Sequence, residues 1–408
     1  MDITTSFFYY FYDLMNIRDL FFKYQAQTSG NPLAIIIARA SGHYIYDQNE
    51  KAYLDLISGI SVSNLGHNHP LIKEAIKNQL DEHSYLMVYG ELIQTPQVRL
   101  CQKLVELSND DFNHVYLLTT GTEAVEAAMK LSKRYTGRNR IVSCKNAYHG
   151  STQGALSLMS DEYFTQAYRP LIPEIEHISF NNLSDLQIIT EDTACVICEV
   201  VQAEAGVQLP EMIWLSQLKT RCEQVGALLV FDEIQSGIGR SGEWFAYQKE
   251  NIKPDVLLLG KALGASLPLS ALMSSKKILS SFSNNPVLGH ISTFAGHPLA
   301  CAAALKGIEI LEQMNFKLMV SGLAQIFINT FKEIPQVTFR QYGLLMSLEF
   351  ENENKCKLII EECIQNGILT DWFLFAPNCM RLAPPLTLTI SEANEAAQKI
   401  KDIITNTK

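Results

Sequence analysis

The sequence predicts an α/β fold in which a large domain, built on a mostly parallel central sheet, carries a smaller α+β domain. The chain of 408 residues is long enough for two domains that share an extensive core. Its middle alternates short apolar runs with helical patterns, which is typical of a parallel sheet covered by helices. From about Pro298 the pattern changes to an alanine-rich helix followed by isolated strands.

Five apolar runs in the middle of the chain are each followed by a polar motif. In open parallel sheets ligands bind beyond the carboxyl ends of the strands, so we expect these motifs to share one crevice. The pairs, in chain order, are His114–Leu118 before Thr119–Glu123, Ile141–Ser143 before Asn146–Gly150, Cys195–Cys198 before Glu199–Glu204, Leu228–Phe231 before Asp232–Glu233, and Val256–Leu259 before Gly260–Lys261.

The remaining elements are assigned by periodicity. After the first polar motif, one face of a helix over Glu123–Tyr135 carries apolar or small residues. The smaller domain is expected to contain N-terminal strands, an alanine-rich helix, an isolated strand and a final amphipathic helix: Ala34–Asp47, Ala52–Leu56, Leu299–Leu311, Gly343–Phe350 and Ser391–Ile404.

These elements divide the chain into four segments. We expect residues 15–60 to belong to the smaller domain, 61–297 to form the large domain, and 298–408 to complete the smaller one. Residues 1–14 contain the aromatic run Phe7–Tyr12, which is too short to span a bilayer and lacks the basic start of a signal peptide. We interpret them as an extension or an alternative-start artefact; the other interpretation is an aromatic arm at a subunit interface.

Composition argues against several classes of partner. The net charge is −10, and no run of Lys or Arg is present, so we expect neither a nucleic acid nor a membrane partner. The nine cysteines show no framework spacing. Cys195 and Cys198 lie in an apolar run where side chains alternate, so their sulfurs should face opposite sides of the sheet. We therefore expect reduced thiols, a cytoplasmic protein and no metal site.

Asp232 and Lys261 are the residues that point most directly to chemistry. A carboxylate and an amine at the ends of two adjacent buried strands are what pyridoxal phosphate requires. The amine condenses with the cofactor aldehyde, and the carboxylate keeps the ring nitrogen protonated. Either residue alone is more often a solvated strand end. Near the first strand, Thr120 and Glu123 fit a capping box, and the free N–H groups of that helix start suit a phosphate.

In this region the chain resembles the class III aminotransferases of the ornithine, acetylornithine and 4-aminobutyrate type. The resemblance extends from about Asn31 to Pro385. It rests on an ordered motif: Phe231-Asp232-Glu233-Ile234-Gln235, Gly237, Gly239-Arg240, Gly242, Pro254-Asp255 and Lys261-Ala262-Leu263-Gly264. It implies fold type I, pyridoxal 5'-phosphate as cofactor, transfer of an amino group to a keto acid, and a homodimer with active sites at the subunit interface.

The resemblance also implies roles for individual residues. Lys261 would be the Schiff-base lysine and Asp232 the partner of the ring nitrogen. The phosphate would be bound by Gly121 and Thr122, and by Thr293 from the neighbouring subunit. Tyr148 would stack on the ring and Gln235 would lie near its phenolic oxygen. The substrate-binding residues would be Arg381, which binds a carboxylate, Glu204, which pairs with Arg381, and Ser292.

Departures from the family pattern leave the donor open. Ser151 stands where a second carboxylate-binding arginine is usual, and Ile60 where ornithine-type members commonly carry tyrosine. Val200, Ala203, Gly260, Ala265 and Ser266 also differ from the family. An acetylornithine-like or ornithine-like donor with 2-oxoglutarate as acceptor is the first hypothesis. The alternatives are a β-amino acid or other ω-amine transaminase and an amino-acid racemase or epimerase on the same scaffold.

Overall fold

The computed structural model describes residues 17–407. Strands are numbered in chain order: β1 Ile37–Ser41, β2 Tyr44–Asp47, β3 Ala52–Asp55, β4 His114–Leu118, β5 Arg140–Cys144, β6 Ile175–Ile178, β7 Thr193–Cys198, β8 Leu228–Asp232, β9 Val256–Leu259, β10 Ser270–Ser274, β11 Thr338–Tyr342, β12 Leu345–Glu349, β13 Ile368–Leu369, β14 Asp371–Phe373 and β15 Ala376–Leu382.

The helices are numbered in the same way: α1 Ile17–Tyr24, α2 Pro70–Glu82, α3 Thr95–Leu107, α4 Gly121–Thr136, α5 Gln153–Ser157, α6 Glu162–Thr165, α7 Met212–Val225, α8 Ala246–Glu250, α9 Lys276–Leu279, α10 Pro298–Gln313, α11 Phe316–Phe331, α12 Glu353–Gln365 and α13 Ile390–Asn406. The segment Ser58–Ser61 is a left-handed turn, because all four of its residues have positive φ. Short 3₁₀ turns complete the structure, among them Lys261–Gly264.

The seven-stranded central sheet has the order β4-β10-β9-β8-β7-β5-β6. All pairings from β9 to β6 are parallel, whereas β10 is antiparallel to both β9 and β4. The predicted mostly parallel sheet is therefore confirmed. Since β4 and β9 both oppose β10, the five strands predicted from apolar runs share one direction and end at the same edge. Cys195 and Cys198 lie in different hydrophobic clusters, on opposite faces of β7.

Two strands of this sheet, β6 and β10, were not predicted. β10 is wholly buried although it begins and ends with serine. The Ser270 hydroxyl donates to the Thr120 carbonyl (2.7 Å), and the Ser274 hydroxyl donates to the Asp255 carbonyl (2.7 Å). Backbone carbonyls thus satisfy the hydroxyl groups of these two serines, which in the sequence argue against a buried strand.

Two four-stranded sheets lie outside the central one, in the orders β1-β2-β3-β13 and β11-β12-β15-β14. β3 pairs in parallel with β13, so N-terminal and C-terminal segments share a sheet. α11 packs against α13, and α12 packs against β15. The second of these sheets carries Arg381 on β15.

Helix α10 begins the segment that the sequence assigns to the smaller domain. It lies against α2, α3 and the Lys261–Gly264 turn, all within the segment assigned to the large domain. Small residues allow this close approach, since a Cβ at Gly307 would lie only 3.0 Å from the Cβ of Ala265. The helix therefore packs against the turn that carries Lys261 and supports it.

The predicted extension, residues 1–14, lies outside the described residues. No helix between residues 17 and 407 is long and apolar enough to cross a membrane. The same part of the chain contains no group of three or more His, Cys, Asp or Glu side chains placed to hold a metal ion. All nine cysteines are free thiols.

Candidate active site

The start of α4 presents free backbone N–H groups at the carboxyl edge of the central sheet. Thr120 is the N-cap: its hydroxyl accepts from the Glu123 amide, and the Glu123 carboxylate accepts in return from the Thr120 amide. This capping box leaves the N–H groups of Gly121 and Thr122 in the first turn, where no carbonyl of the helix can accept from them. Such a helix start favours an anion.

A pocket of about 440 Å³ opens beside this helix start. Residues that follow all five predicted strands line it, as expected for strands that end at the same edge of a sheet. Its walls contain the predicted cofactor residues Gly121, Thr122, Tyr148, Asp232, Gln235 and Lys261, together with His149, Gly150, Ser151, Thr152, Glu199 and Ile234.

Asp232, at the end of β8, forms the buried floor of this pocket with His149. The Oδ2 atom of Asp232 lies 2.7 Å from Nδ1 of His149, and its Oδ1 atom accepts from the Ile234 amide (3.0 Å). Burial is the largest single effect and disfavours the charged imidazolium, but the hydrogen bond to Asp232 and the nearby negative charge together outweigh it and raise the pKa of His149. His149 therefore holds the carboxylate in a fixed orientation toward the pocket.

Lys261 lies one strand away from Asp232, because Asp232 pairs with Leu258 in the adjacent strand β9. Its φ of 47° places a non-glycine residue in the left-handed region. Burial lowers the pKa of the Lys261 ammonium, which favours the neutral, nucleophilic amine. The Nζ atom lies 3.4 Å from the side-chain amide of Gln235.

The departures near Lys261 have local structural consequences. Ala265 and Ser266 follow the lysine turn with φ of 47° and 84°, a conformation that favours glycine. At Gly260 a Cβ would lie 3.1 Å from the side chain of Ile234, so the absence of a side chain makes room for that branched residue. The lysine turn is thus held in a strained conformation by its neighbours.

Thr122 belongs to a chain of hydroxyl contacts. Its Oγ1 lies 2.7 Å from Oγ1 of Thr152, which in turn donates to Oε1 of Glu126 (2.6 Å). Because the Thr152 proton goes to that carboxylate, the Thr122 hydroxyl must donate to Thr152. The donor that Thr122 offers to the pocket is therefore its backbone N–H.

Glu199 is a second acidic group in the pocket wall. Its Oε2 atom accepts from the Ala203 amide (3.0 Å), whereas Oε1 has no hydrogen-bond partner among the described residues. Burial raises the pKa of Glu199 to about 8, with Asp232 adding to the shift. The raised pKa favours the protonated form of this carboxyl group, although the charge of His149 acts in the opposite direction.

Arg381 lies on β15 in the second small sheet and is only 2% exposed. It forms a bidentate pair with Glu204, with Nη1–Oε1 and Nη2–Oε2 distances of 2.7 and 3.0 Å. Arg381 outweighs the effect of burial and lowers the pKa of Glu204. Gln235 joins this pair: its amide nitrogen faces Glu204 Oε1 (3.3 Å) and its amide oxygen accepts from Arg381 Nη1 (3.1 Å).

Three further predicted residues have less direct positions. Tyr148 lines the pocket, and its hydroxyl lies 3.2 Å from the Ser151 hydroxyl. Ser292 donates to Glu123 (3.2 Å) and does not line the pocket. Thr293 is exposed, and its carbonyl accepts from Tyr85 (2.7 Å). One chain alone does not bring Ser292 or Thr293 to the pocket wall.

Two residues that contact the site were not predicted from the sequence. His149 is hydrogen-bonded to Asp232, and Asp371 Oδ1 accepts from Nε of Arg381 (2.8 Å). His149 could have been found, since it stands inside the polar motif that follows β5. Asp371 left no signal, because its contact depends on the register of a hairpin.

The donor set fits pyridoxal phosphate on structural grounds. An amine, a carboxylate backed by histidine, and the free amides of a helix start lie around one cavity, as the cofactor aldehyde, ring nitrogen and phosphate require. The fold and this pocket define a pyridoxal-phosphate-dependent transferase of fold type I.

Comparison with known proteins gives the family. The model of the family Aminotransferase class-III matches residues 24–404, and the chain therefore belongs to the class III aminotransferases. It is a transaminase that uses pyridoxal 5'-phosphate. Acetylornithine aminotransferase of Methanopyrus kandleri is 32% identical over 395 residues, which cover 96% of this chain and 99% of the relative.

Solved structures agree with this assignment. Ornithine aminotransferase from Toxoplasma gondii superposes with a TM-score of 0.88 at 25% identity, covering 96% of this chain and 94% of that one. An amine transaminase from an uncultivated Pseudomonas species, in its PLP-bound form, gives 0.86 at 25% identity and covers 94% and 98%.

Proposed function

We propose that the protein transfers an amino group from an acetylornithine-like or ornithine-like donor to 2-oxoglutarate. The observation that carries this proposal is the buried Glu204–Arg381 pair, with which Gln235 shares two hydrogen bonds while its amide nitrogen faces the amine of Lys261. A guanidinium masked by a carboxylate suits an enzyme that binds two substrates of different charge in turn. The likeness to acetylornithine aminotransferases supports the choice of donor.

When bound, pyridoxal phosphate acts as the electron sink and amino-group carrier of the reaction. Lys261 Nζ supplies the amine that holds the cofactor and, once released, the base that moves a proton at the substrate carbon. Its lowered pKa suits this task, because an amine must be neutral to accept a proton. Asp232, oriented by His149, stabilises the protonated ring nitrogen. The amides of Gly121 and Thr122 bind the phosphate.

Arg381 binds the carboxylate next to the reacting carbonyl of the keto acid when Glu204 moves aside. The guanidinium offers two parallel N–H groups, a geometry that matches a carboxylate and that lysine cannot reproduce. With Glu204 in place, the same region carries no free cation and accepts the donor, whose reacting carbon bears no carboxylate.

The test is a panel of amine donors incubated with 2-oxoglutarate while glutamate formation is followed. Acetylornithine and ornithine should rank above monoamines, and the Lys261→Ala protein, prepared identically, should form no glutamate. Absence of glutamate with every donor, while another keto acid is aminated, would contradict the acceptor assignment.

A second candidate is an ω-amine or β-amino acid donor. Ser151 lines the pocket next to Tyr148 where a carboxylate-binding arginine is usual, so this wall offers hydroxyl groups rather than a cation. A donor without an α-carboxylate would fit such a wall. Preference for diamines or β-amino acids over acetylornithine in the same panel would select this candidate.

We also propose a homodimer in which Thr293 serves the neighbouring site. Thr293 is exposed beside Phe294 (56% exposed), and large apolar residues such as Ile93 (93%) and Val287 (72%) are exposed as well. Burial of these side chains against a second copy of the chain would remove apolar surface from water.

Complementation tests this arrangement. Lys261→Ala and Thr293→Val chains, co-expressed, form one intact site if Thr293 acts across the interface, so activity should exceed that of either variant alone. If Thr293 acts within its own chain, every site in the mixed dimer has one defect and activity is not restored.

The cytoplasm is the proposed compartment. The nine free cysteines, eight of them buried, suit a reducing environment. Cell fractionation of the tagged full-length chain checks this, and recovery in an oxidising compartment would contradict it.

A further inference from the structure

The guanidinium of Arg381 is shared between two carboxylates from distant parts of the chain. Glu204 takes both terminal nitrogens, whereas Asp371 takes Nε at 2.8 Å. Nη2 also donates to the Trp372 carbonyl (3.1 Å). All five N–H groups therefore have acceptors once the Gln235 amide oxygen at 3.1 Å is included.

Asp371 is placed by the register of a hairpin. β14 and β15 are antiparallel, and Asp371 and Arg381 are direct partners across them. The guanidinium lies 4.4 Å from the centre of the Phe373 ring, which belongs to the same strand as Asp371. The short strand β14 thus holds the guanidinium in two ways: Asp371 accepts from Nε at its edge, and the Phe373 ring packs against its planar face.

The two carboxylates differ in what they would do when a substrate arrives. Glu204 occupies the two terminal nitrogens, which are those that a substrate carboxylate needs. Asp371 occupies only Nε, which the incoming group does not need. Glu204 can therefore leave while Asp371 continues to hold the plane of the guanidinium.

We propose that Asp371 is a positioning residue that keeps Arg381 aimed at the pocket when Glu204 is displaced by a dicarboxylic substrate. This inference rests on the proposed role of Arg381. Glu204 and the substrate carboxylate that replaces it carry the same charge. The negative charge of Asp371 therefore repels both to a similar extent and does not favour either as the partner of Arg381. The hydrogen bond to Nε, rather than the charge, is what distinguishes a well-oriented arginine from a mobile one.

The first experiment measures binding of glutarate to the purified holoenzyme by calorimetry. Glutarate has the two carboxylates of the acceptor but no carbonyl, so it binds without reacting. Asp371→Ala should weaken glutarate by about tenfold, which corresponds to the loss of one charge-assisted hydrogen bond. Asp371→Asn keeps an oxygen for Nε and should stay within about twofold of the unmodified protein.

The second experiment separates the two half-reactions by single-turnover kinetics. Asp371→Ala should raise the concentration of 2-oxoglutarate needed for half-maximal rate and leave the donor half-reaction unchanged. Glu349→Ala is the matched control, since it breaks an ion pair in the same sheet that does not involve Arg381, Arg340–Glu349 (2.6 Å). It should change neither half-reaction.

The outcomes divide clearly. Equal weakening in the alanine and asparagine variants, no weakening in either, or equal loss in both half-reactions would each overturn the role of Asp371. Asp371→Ser, whose hydroxyl is too short to reach Nε, replaces the alanine variant if that protein does not fold. Arg381→Ala tests the underlying assignment separately: unchanged glutarate binding there would refute the carboxylate site itself.

Discussion

Lys261 is the residue on which the chemistry depends, and its environment was only partly predictable. Its identity followed from the motif, because an amine after a buried strand stands beside the matching carboxylate of Asp232. The strained φ of 47° and the lowered pKa could not be predicted, since both depend on the surrounding packing.

Lys261→Ala should abolish turnover and remove the visible absorbance of the purified protein. The alanine side chain has no amine with which to bond the cofactor or move a proton. Absorbance spectra and donor-panel assays check this, with Lys145→Ala, an exposed lysine outside the pocket, as control. A variant that keeps both properties would remove Lys261 from the mechanism.

Glu199 supplies a pH-dependent prediction for the cofactor-free protein. Its folded pKa is raised to about 8 from an unfolded value of 4.5, so between these values the folded state holds a proton that the unfolded state releases. This contribution to stability is fully present below 4.5 and declines as pH rises toward 8, by at most about 1.4 kcal/mol per pH unit.

Urea unfolding at pH 5 to 9 tests this behaviour against Glu199→Gln, which cannot titrate. The stability of the unmodified protein relative to the glutamine variant should fall up to about pH 8 and then level off. Glu361→Gln, at an exposed position, should show a constant difference. A constant difference for Glu199→Gln would mean that the buried carboxyl group is ionised throughout.

At the scale of elements, long apolar runs and helical periodicity predicted β4, β5, β7, β8, β9 and α4 well. These signals are local, so the sequence carries them directly. β10 was not predicted, because the hydroxyl groups of Ser270 and Ser274 are satisfied by carbonyls of segments distant in sequence. The Asp371–Arg381 contact escaped for a similar reason, since it arises only when β14 pairs with β15.

The contact of α10 with the lysine turn gives a prediction for a double-mutant cycle. Gly307→Ala alone should give little net change: alanine favours the helix by about 1 kcal/mol, but its Cβ would lie 3.0 Å from that of Ala265. In an Ala265→Gly background the clash is absent, and the same change should stabilise the protein by about 1 kcal/mol.

Thermal or urea unfolding of the four proteins measures the coupling. Gly322→Ala in α11 is the matched control, because its Cβ would meet nothing within 4 Å. Additive effects of the two changes would show that α10 and the lysine turn do not constrain each other.

At the scale of the whole molecule, Arg240 ties distant segments together. It is fully buried, and its guanidinium donates to Asn64 Oδ1 (2.5 Å) and to the carbonyls of Leu344 (3.1 Å) and Pro384 (2.5 Å). Burial lowers the pKa of this guanidinium. The motif predicted the residue but not its partners, which lie far from it in sequence.

Arg240→Met should lower the free energy of unfolding by about 3 kcal/mol or more, because three buried acceptors lose their donor. Urea denaturation measures the loss. Arg221→Met, which removes a single bond to the Ile189 carbonyl (2.8 Å), should cost much less. Equal losses would mean that Arg240 contributes no more than an ordinary surface contact.

The placement of the β14–β15 hairpin has a consequence for how such an enzyme can diversify. Lys261 and Asp232 belong to the central sheet, whereas Asp371 and Arg381 belong to a hairpin of a separate small sheet. Insertions or exchanges within that hairpin can therefore alter the carboxylate-binding group without disturbing the strands that hold the lysine. For protein engineering, the hairpin and its partner Glu204 are the residues to exchange together when substrate preference is to be changed.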